Sequence, residues 1–290
     1  MDMKSLTHKT YFFLLIFFFM GFTSFAQETS LLWKISGNGL SKESYLFGTI
    51  HIICAEDFLM DSRIEAALAH SEGLLLELDL SDPQMAMKMQ QQSLNEGMKN
   101  IQSELTKEDT ELLDRFFTEN YGAGIAQLGI LKPFVLSSMA LLKSIPCEDV
   151  KSYETFFMEK AKAQTKSIEG LETVELQMGI FDQIPAAVQM EELVKMIKEE
   201  SGADEFRKLV STYLTEDIHG LFDVMKADGM MNNYRNILLD NRNKNWIPIL
   251  QEKLKQKSQF IAVGGGHLGG EMGVVELLRK AGFTVTPILP

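Results

Sequence analysis

The run LLLELDL, residues 74–80, constrains the fold of this chain more than any other stretch. It is too short for an ordinary helix and reads as a strand, with Leu74, Leu76, Leu78 and Leu80 on one face and Leu75, Glu77 and Asp79 on the other. A carboxylate at the centre of an apolar strand is costly unless it is paired or coordinates a metal. The rest of the chain must therefore deliver such a partner to Glu77.

The flanking segments show how a sheet could do so. Upstream, LLWKISGNGLSKESYLFGTIHII places two apolar runs on either side of Gly, Asn and Ser, the composition of a β-hairpin. DSRIEAALAHSEG then reads as an amphipathic helix, with Asp61 or Ser62 as N-cap and Gly73 as its stop. Strand, helix, strand opens an α/β layer. From Pro83 to about Lys257 apolar residues recur at three and four spacing, so this stretch reads as helical. Most of the 17 methionines fall there and read as fillers of an irregular core. The end, SQFIAVGGGHLGGEMGVVELLRKAGFTVTPIL, is strand, glycine turn, helix, strand. The expected fold is mixed α/β (α+β): a central sheet flanked by helices, with a large helical insertion over 83–257. With no repeat or low-complexity tract, residues 27–290 are expected to form one domain.

Residues 1–26 read differently. Lys4 and Lys9 precede an apolar block from Tyr11 to Phe22, and TSFAQ follows with Ser24 and Ala26 at small-residue cleavage positions, which is a secretory signal peptide. The block is about a dozen residues, short of the ~20 of a spanning helix, so no stable membrane span is expected after cleavage; the alternative is an uncleaved anchor. No Cys follows Ala26, so a lipid-modified leader is not supported. The expected location is periplasmic or secreted. Losing two lysines and Asp2 with the leader takes the net charge from −12 to −13. Nucleic acid is excluded as a partner on this ground, since its binding needs clustered Lys and Arg. Cys54 and Cys147, the only cysteines, either pair in an oxidising compartment or stay as two buried thiols.

Strand period puts Tyr45, Phe47, Thr49 and His51 of YLFGTIH on one face, with His51 at the carboxyl end. FIAVGGGH likewise runs an apolar strand into Gly264, Gly265, Gly266 and then His267. G-x-x-H therefore occurs twice, from Gly48 and from Gly264, each at the strand edge where ligands of open α/β sheets gather. If the strand of Glu77 lies beside these two, one carboxylate and two imidazoles meet, a donor set suited to a hydrolytic divalent ion with an open position for water. Three other readings are open: strand-end histidines held by structural hydrogen bonds, Glu77 paired with a buried Arg or exposed on an edge strand, and GGGHLGGEMG as a phosphate cradle. The cradle lacks a Walker lysine, and it leaves Glu77 unexplained. His70 and His219 read as solvated surface residues, and His8 belongs to the leader.

FGTIH and VGGGH around a helical stretch, LELD after the first histidine, GLETVELQ (170–177) and LLDNRNKNW (238–246) together resemble the TraB/PrgY/GumN family, which includes the Tiki metalloproteases. The likeness runs from about Trp33 to Pro290. It implies a metal-dependent hydrolase core related to the erythromycin-esterase-like fold, with His51, His267 and Glu77 essential as metal ligands, Glu77 serving as third ligand or as base. Manganese or cobalt is the metal that the resemblance suggests, with zinc also compatible, and the expected reaction is cleavage of an amide bond in a peptide. Arg242 and Asn243 are expected to donate to a developing oxyanion, with a salt bridge to an acid as the other reading of Arg242. Glu172 either orients a ligand histidine or caps the helix that follows it, and Leu176 stands where the resemblance leads one to expect a second acid beside Glu175. Two other functions fit the same residues: a non-catalytic periplasmic protein that binds a peptide or signal, and an esterase for a small molecule.

Overall fold

The computed structural model describes residues 29–227 and 229–290. The signal peptide read into residues 1–26, and His8 with it, lies outside the described residues.

The fold is mixed α/β. Its strands are β1 (Leu32–Gly37), β2 (Ser44–Thr49), β3 (Ile53–Cys54), β4 (Gly73–Leu78), β5 (Val150–Lys151), β6 (Ser167–Glu172), β7 (Gln259–Gly264) and β8 (Phe283–Pro287). Six of them make the central sheet in the order β6-β4-β7-β2-β1-β8. β1 pairs antiparallel with β2 and with β8, whereas β6, β4, β7 and β2 pair in parallel. The four parallel strands therefore end on one rim. β7 lies between the other two strands of interest, with Leu76 opposite Ala262 on one side and Thr49 opposite Gly264 on the other.

Both faces of β4 and β7 are covered, and Leu74, Leu75 and Leu76 are all buried. That is usual for parallel strands with helices on both sides. The helix Tyr153–Ala163 packs on β4 and β6 and sends Tyr153 and Phe157 into an aromatic cluster with Phe47 and Phe260. Trp246, Leu250 and Leu254 of the helix Asn241–Gln256 join the same core. The helical region keeps a smaller core of its own, around Leu113, Phe117, Leu136 and Leu193.

The hairpin forms as its sequence suggests, its turn using positive φ at Gly37, Asn38 and Gly39. Asp61 caps the helix Ser62–His70 by accepting from the Arg63 and Ile64 amides, while Gly73 opens β4 instead of ending that helix. The stretch 83–257 is mostly helical, with loops between the helices and two short strands, β5 and β6. SIEGLE was hidden as a strand because it forms a half-exposed sheet edge that carries Glu169, Gly170 and Glu172 in place of an apolar run. The helices Gly202–Leu214 and Ile218–Lys226 are separated at Glu216, which takes positive φ and turns inward to accept from Arg63 and Ser30. The two cysteines pair: the Cys54–Cys147 disulfide joins β3 to the segment entering β5, with the Cα atoms 5.9 Å apart. Among the described residues no helix is long and apolar enough to cross a membrane.

Candidate active site

The parallel rim carries the site. Glu77 lies one residue from the end of β4, only 6% exposed. Its Oε2 accepts from Arg242 Nη2 at 2.6 Å and from Gln177 Nε2 at 3.0 Å, and its Oε1 accepts from the Gly264 amide at 2.8 Å. Burial raises the Glu77 pKa; the charges of His267, Arg242 and His51 and the Gly264 N–H more than reverse this and bring it to about 2. His267 is itself held neutral at pH 7, so Arg242 is the buried charge that keeps Glu77 ionised there.

His267 follows β7 in the turn Gly265–His267 and is 4% exposed. Its Nδ1 meets Asn243 Oδ1 at 2.5 Å, and its Nε2 meets Arg242 Nη1 at 3.1 Å. Because Asn243 Nδ2 donates to the carbonyls of His267 and Met272, its Oδ1 is the acceptor, which puts the imidazole proton on Nδ1 and the lone pair on Nε2. Burial is the main cause that lowers the His267 pKa, to about 3; Glu77 opposes it, and Arg242 and His51 add to it. The ring leans on Trp246, with centroids 4.5 Å apart.

His51 lies just past β2. Its Nδ1 meets Glu154 Oε1 at 2.9 Å, and the same oxygen accepts from Thr49 Oγ1 at 2.6 Å. Desolvation in this crowded rim lowers the His51 pKa, and the hydrogen bond and charge of Glu154 overcome it, lifting it to about 9. With 68% of the side chain open to water, desolvation is the weaker influence and the upward direction stands.

The three groups converge over Gly264. A Cβ there would lie 3.3 Å from Glu77 Oε1, 3.6 Å from His267 Cδ2 and 3.9 Å from His51 Nε2. Any side chain at this position would enter the space they share. The other G-x-x-H glycine serves packing: a Cβ on Gly48 would come within 3.0 Å of Gly265 Cα and of Leu268 Cδ2.

Arg242 lies at the centre and is mostly buried. It is no surface salt bridge. Nε and Nη2 grip Glu172 at 2.9 and 2.8 Å, Nη2 also holds Glu77, and Nη1 donates to His267 and to the Leu238 carbonyl. Asn243 departs from the expected role of oxyanion donor, because its buried carboxamide is fully engaged in holding His267. Glu172 touches neither His51 nor His267 and caps no helix; it accepts from Arg242 and Trp246, while Thr173 caps the helix Val174–Phe181. His219 is half-buried and lines an open surface cleft with Asp223, Arg235 and Asp240. Two functional residues lacked a readable signal. Glu154 sits where an ordinary first-turn acid follows the cap Ser152, and Gln177 lies on a helix face with no feature to mark it.

The donors suit a divalent ion in kind. Each imidazole has Nδ1 tied to an oxygen, His51 turns Nε2 and His267 turns Cδ2 toward the shared space, and Glu77 supplies a carboxylate. In arrangement they stop short of a centre. Among the described residues no group of three or more His, Cys, Asp or Glu is placed to hold a metal, and Arg242 Nη1 occupies the His267 Nε2 lone pair.

Fold and site together define a mixed α/β protein with a buried Glu, Arg and His cluster at the carboxyl rim of its parallel strands. The chain belongs to the TraB/PrgY/gumN family, whose model matches residues 31–287. No curated protein and no solved structure matches it.

Proposed function

We propose that this chain is an exported, Tiki-like hydrolase that cleaves an amide bond in a peptide, with a divalent ion held by His51, His267 and Glu77. The observation that carries the reading is the convergence of these three groups, from three different strand ends, on the space over Gly264. A divalent ion bound there would polarise the scissile carbonyl and bring the pKa of a bound water toward ~7. The other roles belong to the protein. Glu154 and Asn243 hold the two Nδ1 atoms, which reserves both Nε2 atoms for the ion once His51 gives up its proton. Glu77, with a pKa of about 2, is ionised at all working pH values, which suits an anionic ligand better than a base. Nη1 is the one nitrogen of Arg242 that no carboxylate engages; its N–H groups go to the Leu238 carbonyl and His267 Nε2, and the one on His267 would become a donor for negative charge developing on the carbonyl oxygen once the ion takes that lone pair. Manganese, cobalt and zinc all accept such a donor set. Export fits the Cys54–Cys147 disulfide.

A second reading, a periplasmic protein that binds a peptide without cleaving it, is favoured by one observation: Arg242 already fills the His267 lone pair. Metal analysis of protein purified without chelator separates the two, together with peptide-library cleavage with and without added manganese. Stoichiometric metal that is lost in His267→Ala, and cleavage that depends on it, support the hydrolase. Metal-free protein that binds peptide and leaves it intact overturns it.

A further inference from the structure

We infer that the cleft on the outer side of Arg242 is a substrate subsite that takes an extended peptide and buries one of its apolar side chains. This rests on the hydrolase reading only for which neighbouring group does the chemistry. The cleft, about 390 Å³, runs between the helix Val174–Phe181 and the turn Asn236–Asp240 that leads into the helix Asn241–Gln256. That volume is in the range of ligand sites. Arg242 belongs to its wall, so a chain lying in the cleft abuts the residue that holds Glu77 and His267.

The chemistry of the wall selects the occupant. Leu176, Ile180 and Ile237 supply the apolar part, and Leu176 leaves 49% of its surface exposed. One exposed leucine says little; three aliphatic residues lining one concavity say more. Gln183, Asn241 and Asn245 line it too, all three exposed. Each carboxamide carries both donors and an acceptor, the complement of a peptide main chain with its alternating N–H and C=O. An anion such as phosphate finds no spare cation here, because Arg242 is committed to Glu77 and Glu172. A glycan finds no stacking platform, since none of the lining residues is aromatic. Gly179 keeps the cleft open: it lies within a helix, where Ala would be preferred by up to ~1 kcal/mol, and a Cβ on it would meet no atom within 4 Å.

That glycine supplies the test. Fluorescein-labelled acetyl-Ala-Ala-Leu-Ala-Ala-amide, its Asp counterpart and tri-N-acetylglucosamine are titrated against the full protein in EDTA, so that binding is read without turnover. The leucine peptide is expected to bind about tenfold more tightly than the aspartate peptide, as burial of one leucine side chain predicts. Gly179→Phe should weaken it at least tenfold with an unchanged thermal midpoint, and Leu142→Ala, an exposed leucine on another helix, should leave it unchanged. If Gly179→Phe does not fold, the exposed pair Asn241→Ala and Asn245→Ala serves instead, with a loss of several-fold expected. Equal affinity for both peptides, no loss in these variants, trisaccharide binding in place of peptide binding, or no peptide binding up to about 1 mM each overturns the subsite. Peptide bound as described and never cleaved with manganese present sinks the hydrolase reading and leaves the subsite standing.

Discussion

Replacing Arg242 with alanine should be the most damaging single change at the sheet rim, and its cost should depend on pH. The guanidinium lies between the Glu77 and Glu172 carboxylates, whose side chains are 8% and 2% exposed, and it bonds them at 2.6 and 2.8 Å through one nitrogen. Removing one partner of a buried pair costs about 3–5 kcal/mol, because the charge left behind has no compensation. Here two carboxylates are left. Gln177, Gly264 and Trp246 still donate to them, which preserves hydrogen bonds but supplies no charge. We expect a loss of about 4 kcal/mol at pH 7.5 in EDTA, a fall in the urea midpoint of somewhat over ~1 M. Without the cation, burial raises the Glu77 pKa, so that acid neutralises this carboxylate at little cost. The difference from the unmodified protein should therefore shrink to about 1 kcal/mol near pH 5. Adding Glu77→Gln and Glu172→Gln to the variant should recover part of the loss at pH 7.5. Urea unfolding followed by circular dichroism at the two pH values is the assay. A loss below about 1 kcal/mol at pH 7.5, or one that is the same at both pH values, would show that Arg242 does not hold these acids in the fold.

The unmodified protein should be most stable near neutrality. His267, at about 3 in the fold against 6.5 unfolded, leaves the unfolded chain with the extra proton, so stability falls as pH drops from 6.5 toward 3; Glu77, at about 2 against 4.5, adds a loss below 4.5. His51, lifted to about 9, stabilises fully below 6.5 and loses this contribution as pH rises through 9. A flat urea midpoint between pH 7 and pH 4 would contradict these assignments. Glu154→Gln should bring the His51 pKa down toward 6.5 or below, read from its ring protons by NMR titration in EDTA; a value that stays near 9 means that Glu154 is not the cause. Reducing the disulfide, which spans 93 residues, should cost about 4.5 kcal/mol by chain entropy and on the order of 10 °C in thermal midpoint; a shift of less than about 3 °C refutes this.

The sequence carried the frame of this site better than its wiring. A strand that runs into G-x-x-H is visible in one dimension because glycine and histidine are punctuation at a strand end, and two such ends imply a shared rim once the strands are parallel. Glu77 was legible for a different reason: a charge inside an apolar run must have a partner. What that partner is could not be read. Arg242 reaches Glu77 across 165 positions of sequence and Glu154 reaches His51 across 103, and each sits in a helical segment whose periodicity is satisfied without it. β6 escaped because an edge strand needs no apolar run, and Glu172 at its end reads as a candidate cap because it immediately precedes one. Local pattern reports which face is buried; it does not report which buried polar groups meet.

The charges at the rim add a constraint that geometry alone does not. Glu77, Glu154 and Glu172 bring three carboxylates to one end of the sheet, and Arg242 is the permanent cation among them. Two excess negative charges in a poorly solvated place are expensive, and the upward pull on the His51 pKa is part of the response, since a protonated imidazole supplies one of the missing positive charges. That balance would favour a cation over an anion in the space above Gly264. A phosphate or carboxylate substrate would have to approach against that excess, whereas a divalent ion would relieve it and let His51 give up its proton. The same balance explains why Arg242 is held by Glu172 as well as by Glu77: with two anchors, the guanidinium keeps one carboxylate even when the other turns to a different cation.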